Sequence, residues 1–238
     1  MGARINTIAF PRANRNENEV KKIASELINT LVLKPDDFYP EINVDMTNSL
    51  VIINNFPAIE VMENTSYWEP VFSQLNISND WLVVFVYITS SDYYGYSIYE
   101  KGKYLRTFAY YENFEVNPLL VGLEQPFETK YLHQSVCYLN TEDDTIIDNL
   151  DSLSDDEKII YTPALIIDNE PMDLVNAYSC LFSECSLRYL DIDIADDYLE
   201  NYDSFIIPIE NNDKTELKRK LDEAKGSSLF SKILKLFK

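Results

Sequence analysis

Residues Trp81 to Tyr111, WLVVFVYITSSDYYGYSIYEKGKYLRTFAYY, are the most strand-like part of the chain, and the fold is expected to be built around them. Trp81 to Ile88 is a nearly continuous apolar run rich in Val and aromatics, which suits a strand buried on both faces. Ser90, Ser91 and Asp92 form a polar break where the chain can turn. Tyr94, Tyr96 and Ile98, then Tyr104, Arg106, Phe108 and Tyr110, continue in strand-like composition. Between them Lys101-Gly102 reads as a tight hairpin turn, with Gly supplying the positive φ that such turns need. Three consecutive antiparallel strands are therefore expected, a meander at the centre of a sheet.

Outward from this stretch, the rest of the chain reads as helices and further strands. Arg4 to Phe10 alternates loosely and predicts a first strand ended by Pro11. From Glu17 to Leu33, Val20, Ile23, Ala24, Leu27, Ile28 and Leu31 recur at helical spacing, so an amphipathic helix is predicted. Pro35 stops it. Leu50 to Ile53 and Ala58 to Met62 read as short strands, and Ser66 to Leu75 as a short helix with Pro70 near its first turn. Beyond the meander, Glu112 to Lys130 reads as irregular, with Pro118, Gly122 and Pro126. Tyr131 to Leu139 reads as a strand. Thr141 to Glu157 is strongly acidic and reads as a loop or a solvated helix. Glu157 to Ile167 is β-prone. Pro171 looks like a first-turn proline, opening a buried helix marked by Leu174, Val175, Tyr178, Leu181, Phe182 and Cys185. Phe205 to Ile209 reads as a last strand. Asp213 is placed to cap a charged helix reaching about Lys225, and Gly226 to end it.

The chain has 238 residues, 46 % hydrophobic and 13 % aromatic, which supports a globular protein with a sizeable core. The expected class is α+β: one acidic domain over residues 1–212 with a mainly antiparallel sheet and helices packed on it, followed by residues 213–238 as a charged helix and a basic tail. The net charge of −20 is uneven. Residues 1–34 hold six basic and three acidic side chains (+3), residues 35–213 six and 34 (−28), and residues 214–238 eight and three (+5). An acidic body repels nucleic-acid backbones, whose binding needs Lys and Arg to neutralise phosphates. It would attract a basic partner or cations instead.

Cys137, Cys180 and Cys185 make an odd number with no metal-ligand spacing, and the latter two fall in a helical apolar pattern that reads as packed thiols. The N-terminus lacks a long apolar run of the signal-peptide kind, and no run reaches the ~18 apolar residues of a membrane span. Asn6 stands where a myristoylation signal wants Ser or Thr. A reduced cytoplasmic location is the expectation.

Several residues resemble those of an uncharacterised bacterial family, frequent in actinobacteria and classed only as a domain of unknown function. Its members begin Met-Gly-Ala-Lys, and this chain begins Met1-Gly2-Ala3-Arg4. The family's central signature is similar to Asp92, Tyr93, Tyr94, Gly95 and Tyr96, then Tyr99, Gly102 and Arg106. Its Glu-x-Pro-Phe-Glu element is similar to Glu124, Pro126, Phe127 and Glu128, and its Phe-Pro to Phe56-Pro57. The resemblance covers most of residues 1–130 and, more loosely, 170–207. It departs at Thr89-Ser90, where the family has His-Ser, at Tyr99, where it has Trp, and through the acidic 140–170 segment and the tail. It implies a fold and no reaction.

Candidate sites follow from residue chemistry. Asp92, Arg106 and Glu128 are the candidate catalytic set: Asp92 and Arg106 could form a buried ion pair or line a cleft, and Glu128 could be a general base or a loop anchor. His133 and Cys137 would be neighbours in a helix but about 13 Å apart in a strand, which disfavours a dyad. Neither G-x-S-x-G, G-x-G-x-x-G nor a P-loop is present. Asp191-x-Asp193-x-x-Asp196-Asp197 suggests Ca²⁺ but lacks the Gly at the sixth position and the Glu at the twelfth, where Tyr202 stands. No cofactor or metal is expected. In the tail, Leu229, Phe230, Ile233, Leu234 and Phe237 share one helical face with Lys232, Lys235 and Lys238 opposite. Such a basic amphipathic helix suits docking onto the chain's own acidic body, an anionic membrane surface or a groove in a partner.

Three function classes remain. The leading one is a non-enzymatic, immunity-like or inhibitor-like interaction protein presenting its acidic surface to a basic partner. The alternatives are an enzyme with its site near Asp92, Arg106 and Glu128, and a peripheral membrane adaptor using the tail.

Overall fold

A computed structural model describes residues 4–30, 41–88, 93–111, 117–195 and 202–208. It has the expected α+β architecture, with an eight-stranded and a four-stranded sheet. The large sheet is built from β1 (Arg4–Pro11), β2 (Glu41–Met46), β3 (Leu50–Asn54), β4 (Trp81–Ile88), β5 (Tyr93–Glu100), β6 (Lys103–Tyr111), β7 (Leu119–Gly122) and β12 (Asp203–Pro208), in the order β12-β2-β3-β1-β4-β5-β6-β7. The small sheet holds β8 (Cys137–Asn140), β9 (Ile146–Ile147), β10 (Tyr161–Ile167) and β11 (Glu170–Asp173), in the order β11-β10-β8-β9. The expected consecutive strands are present, β4, β5 and β6 being adjacent, but they do not centre the large sheet: they run from its middle towards one edge, where only β7 lies beyond β6. Leu82 to Val86 are fully buried, as the unbroken apolar run required. Lys101 and Gly102 turn the β5–β6 hairpin at φ 51° and 75°, the double positive φ of a two-residue turn matched to strand twist. An added Cβ on Gly102 would lie 3.4 Å from Ser73 Oγ.

The chain falls into two compact units, and the central strands pass from one to the other at residues 86/87, 95/96 and 105/106. Among the described residues, one unit comprises residues 4–30, 41–86, 96–105 and 202–208. In it α1 (Glu17–Thr30) buries Val20, Ile23, Ala24 and Leu27, the stripe read from the sequence. The sequence pattern misassigned Ala58 to Met62, which is helical as α2 (Ala58–Glu63). Pro57 stands at its N-cap, and Ala58, Val61 and Met62 are buried at helical spacing. A window that short does not separate the two periods. In α3 (Thr65–Gln74) Pro70 lies inside the helix rather than in its first turn. Trp68 and Phe72 stack at 5.5 Å and Phe72 meets Tyr99 edge-on at 5.0 Å, forming this unit's aromatic core.

The other unit, among the described residues, comprises residues 87–88, 93–95, 106–111 and 117–195. Its long helix α6 (Leu174–Leu190) has Tyr178 packed on Tyr110 and Phe108, and Phe182 on Tyr87, at 4.6, 5.5 and 5.6 Å. Asp173 caps it by accepting from Asn176 N at 2.9 Å, and Asp191 ends it in the left-handed region. Pro171 is therefore not a first-turn proline. It belongs to the edge strand β11, where a missing N–H is tolerated. Residues 131–139 are not one strand. The short helix α4 (Thr129–Leu132) comes first, and the strand begins only at Cys137. Glu112 to Lys130 contains β7, which the glycine and prolines concealed. The acidic stretch holds β9, a loop and the short helix α5 (Asp155–Lys158).

Candidate functional site

The candidate residues Arg106 and Glu128 do come together. β6 pairs with β7 so that Arg106 stands opposite Gly122, and the chain then returns through a tight turn in which Glu128 N donates to Gln125 O. The Arg106 Nε–H is shared between Glu128 Oε1 at 3.0 Å and Oε2 at 2.9 Å. Glu128 Oε2 also accepts from Gln125 N at 2.7 Å, and Arg106 Nη1 donates to Gly122 O at 3.3 Å. The side chains are 5 % and 0 % exposed, so the pair is withdrawn from water and held by the loop it anchors. The buried Cys185 is within electrostatic reach of Glu128. Burial, and secondarily the Glu128 charge, pushes its thiol well above the ordinary range. Burial and mutual satisfaction fit an anchor better than a general base, which must reach a substrate proton. Asp92 lies outside the described residues. So do Leu229, Phe230, Lys232, Ile233, Leu234, Lys235, Phe237 and Lys238 of the tail, and Asp196, Asp197 and Asp213.

His133 and Cys137 have separate partners. The exposed imidazole Nε2 lies 2.9 Å from Glu124 Oε1, and the buried thiol donates to Ala164 O at 3.4 Å. The reason is local: the chain leaves α4 at His133 before β8 begins, so neither a single helix nor a single strand contains both. Cys180, read as packed, is exposed, and Cys185 is buried. Burial and Glu184 raise the Cys180 thiol, with Lys130 opposing. Asp193 accepts from Ala195 N at 3.0 Å, a local turn bond. Among the described residues no group of three His, Cys, Asp or Glu side chains is placed to hold a metal ion. No helix among them is long and apolar enough to cross a membrane.

A polar cluster with no sequence signal joins α4 to α6. Tyr131 Oη donates to Glu184 Oε1 at 2.9 Å, and Lys130 Nζ contacts the same oxygen. Burial and the bond to Glu184 raise the Tyr131 phenol strongly, and the same carboxylate raises Lys130. The residues are 53 apart in sequence, so only the fold brings them together.

The most prominent charged feature is the excursion from Thr141 to Ile160. Its ends are tied: Thr141 N and Oγ1 both donate to Ile160 O, at 2.8 and 3.0 Å. Ser154 and Glu157 form a reciprocal capping box at α5. Between those ties Glu142, Asp143, Asp144, Asp148, Asp151, Asp155, Asp156 and Glu157 are all exposed. Eight carboxylates against Lys158 give residues 141–158 a net −7. Lys158 Nζ is itself engaged by Asp155 at 3.1 Å. Bonds within the excursion hold Asp143 and Glu157 below the usual carboxyl range, through Thr145 and Ser154 respectively, so both stay ionised at neutral pH. Ile146 and Ile159 stand exposed among these acids, at 42 % and 80 %.

Comparison with protein-family models, with curated proteins and with solved structures returned no match.

Proposed function

We propose that this protein is a non-enzymatic interaction module that presents acidic surface to a basic protein partner. The observation that carries the reading is the 141–160 excursion, whose tied ends and eight exposed carboxylates form an ordered anionic surface. Like charges gathered on one surface are costly to the free protein and useful when a cationic partner neutralises them, raising the association rate and excluding other partners. The state of Arg106 and Glu128 is consistent with this, since their charges satisfy each other inside the fold. An inhibitor-like or immunity-like role follows naturally, because an anionic surface can mask a cationic active site. Kinship with the family resembled in sequence would leave this reading unchanged, since that family carries no assigned reaction.

The test compares the wild-type chain with a variant carrying Glu142→Gln, Asp143→Asn, Asp144→Asn and Asp148→Asn. Partners captured from the source cells at low salt are identified, purified and re-bound. The expected result is a basic protein that binds the wild type, is released at high salt and binds the variant weakly. A complex that persists unchanged in the variant and at high salt would refute the charge argument.

A further inference from the structure

Among the described residues, β9, one of the two outer strands of the small sheet, has no strand paired on its far side. β9 pairs with β8 in the register Tyr138↔Ile147 and Leu139↔Ile146. Asn140 N donates to Thr145 O at 2.8 Å. In an antiparallel ladder the residues whose N–H and C=O point at the partner alternate with those that point away. Thr145 and Ile147 therefore face β8, and the N–H and C=O of Ile146 point outward. The far side of β8 obeys the same alternation, with Leu139 opposite Thr162 in β10 and Thr141 N donating to Ile160 O at 2.8 Å. The Ile146 side chain is 42 % exposed. Asp143, Asp144 and Asp148 flank it, all exposed.

We propose that this edge is the docking site for an extended basic segment of the partner, which adds to β9 as a further strand. The proposal rests on the acidic-surface reading above and gives it a binding mode. The main chain of the incoming segment hydrogen-bonds to Ile146, and an apolar residue in it covers the Ile146 side chain. Its Lys or Arg residues meet the flanking carboxylates. Charge decides the occupant. A second copy of this chain would bring its own acids against these, and like charges opposite each other across a ladder are destabilising. Short length and flanking charge are also how sheet edges are protected from self-association. The same acids that reject another copy accept a cationic strand.

The test uses a fluorescent synthetic peptide of alternating Lys and Val, and the same peptide N-methylated at its Val residues, which keeps its charge but cannot pair through the edge that places Val opposite Ile146. The parent peptide is expected to bind the full chain at low salt and to slow amide hydrogen exchange at Ile146. N-methylation is expected to weaken binding about fivefold, as is Ile146→Pro, since each removes a hydrogen bond at the Ile146 edge. Pro at this position removes an outward N–H and no bond to β8, and a thermal melt checks that the variant folds. The N-methylated peptide needs no variant at all. Equal binding of both peptides, with Ile146 exchange unchanged and with Asp143→Asn/Asp144→Asn/Asp148→Asn still abolishing binding, would overturn the strand-addition mode and leave the acidic surface standing. Undiminished binding to that triple variant, or no binding of the parent peptide, would overturn both.

Discussion

Replacing Arg106 by Met leaves the Glu128 carboxylate fully buried, with the Gln125 N–H retained and its cation gone. Removing one partner of a buried pair costs about 3–5 kcal/mol, because the surviving charge loses its hydrogen-bonded counter-ion and gains no water in exchange. Against a total stability of about 5–15 kcal/mol this is large. With a urea m-value of about 2–3 kcal/mol per molar, the unfolding midpoint should fall by about 1–2 M. Glu128→Gln should also destabilise, since the carboxamide still accepts from Gln125 N but leaves the guanidinium buried without an anion. The double variant Arg106→Met/Glu128→Gln carries neither charge. It should recover about 2 kcal/mol relative to the sum of the two single losses. Urea melts followed by far-ultraviolet circular dichroism give all four stabilities. Single losses below about 1 kcal/mol, or strict additivity, would refute the buried-anchor reading. The enzyme alternative would then regain ground, because the charges would have to be accessible and independently solvated.

Other perturbations separate satisfied from unsatisfied groups. Tyr99 Oη is buried with no hydrogen-bond partner, and burial, with Tyr104 and Glu69 adding, drives its phenol well above the ordinary range; Tyr99→Phe should raise the thermal midpoint, by about 1 kcal/mol of stability. Tyr131→Phe should do the reverse by about the same amount, since it removes the bond to Glu184. Maleimide labelling of the native chain should modify Cys180, slowly because its thiol is raised, and should reach Cys185 only in denaturant. Glu157 is held below its usual value by Ser154, so its contribution to α5 is present above the unfolded carboxyl pKa and is lost as pH falls through the lower folded value. Amide protection in residues 154–158, corrected for the intrinsic pH dependence of exchange, should accordingly fall in acid, and Ser154→Ala should reduce that change without abolishing it, since the Ser154 N–H still donates to Glu157.

Residues with one dominant local constraint were legible in the sequence. Trp81 to Ile88 is a nearly continuous apolar run rich in Val and aromatics, which suited a buried strand. Lys101-Gly102 carries the turn that its flanking strands require. The periodicity of residues 17–33 and 174–185 pointed to two helices, described in the structure as Glu17–Thr30 and Leu174–Leu190, and the α+β class followed from these and the strands. Where the local signal was weak, neighbours in space decided. Ala58 to Met62 has too few residues to show a period, and packing against the core made it helical. Pro171 was compatible with a helix start or an edge strand, and pairing with Ile166 chose the strand. The sequence named Arg106 and Glu128 but could not say whether their charges faced a substrate or each other. That depended on β7 placing Gly122 beside Arg106 and on the turn returning Glu128 to the same point. Tyr131 and Glu184 lie 53 residues apart, and the outward direction of the Ile146 amide depends on a ladder register. Composition set the acidic character of residues 141–158. Only the tertiary structure tied their ends together and turned a run of carboxylates into a surface with an open strand edge, because pairing and closure are made between residues distant in the chain.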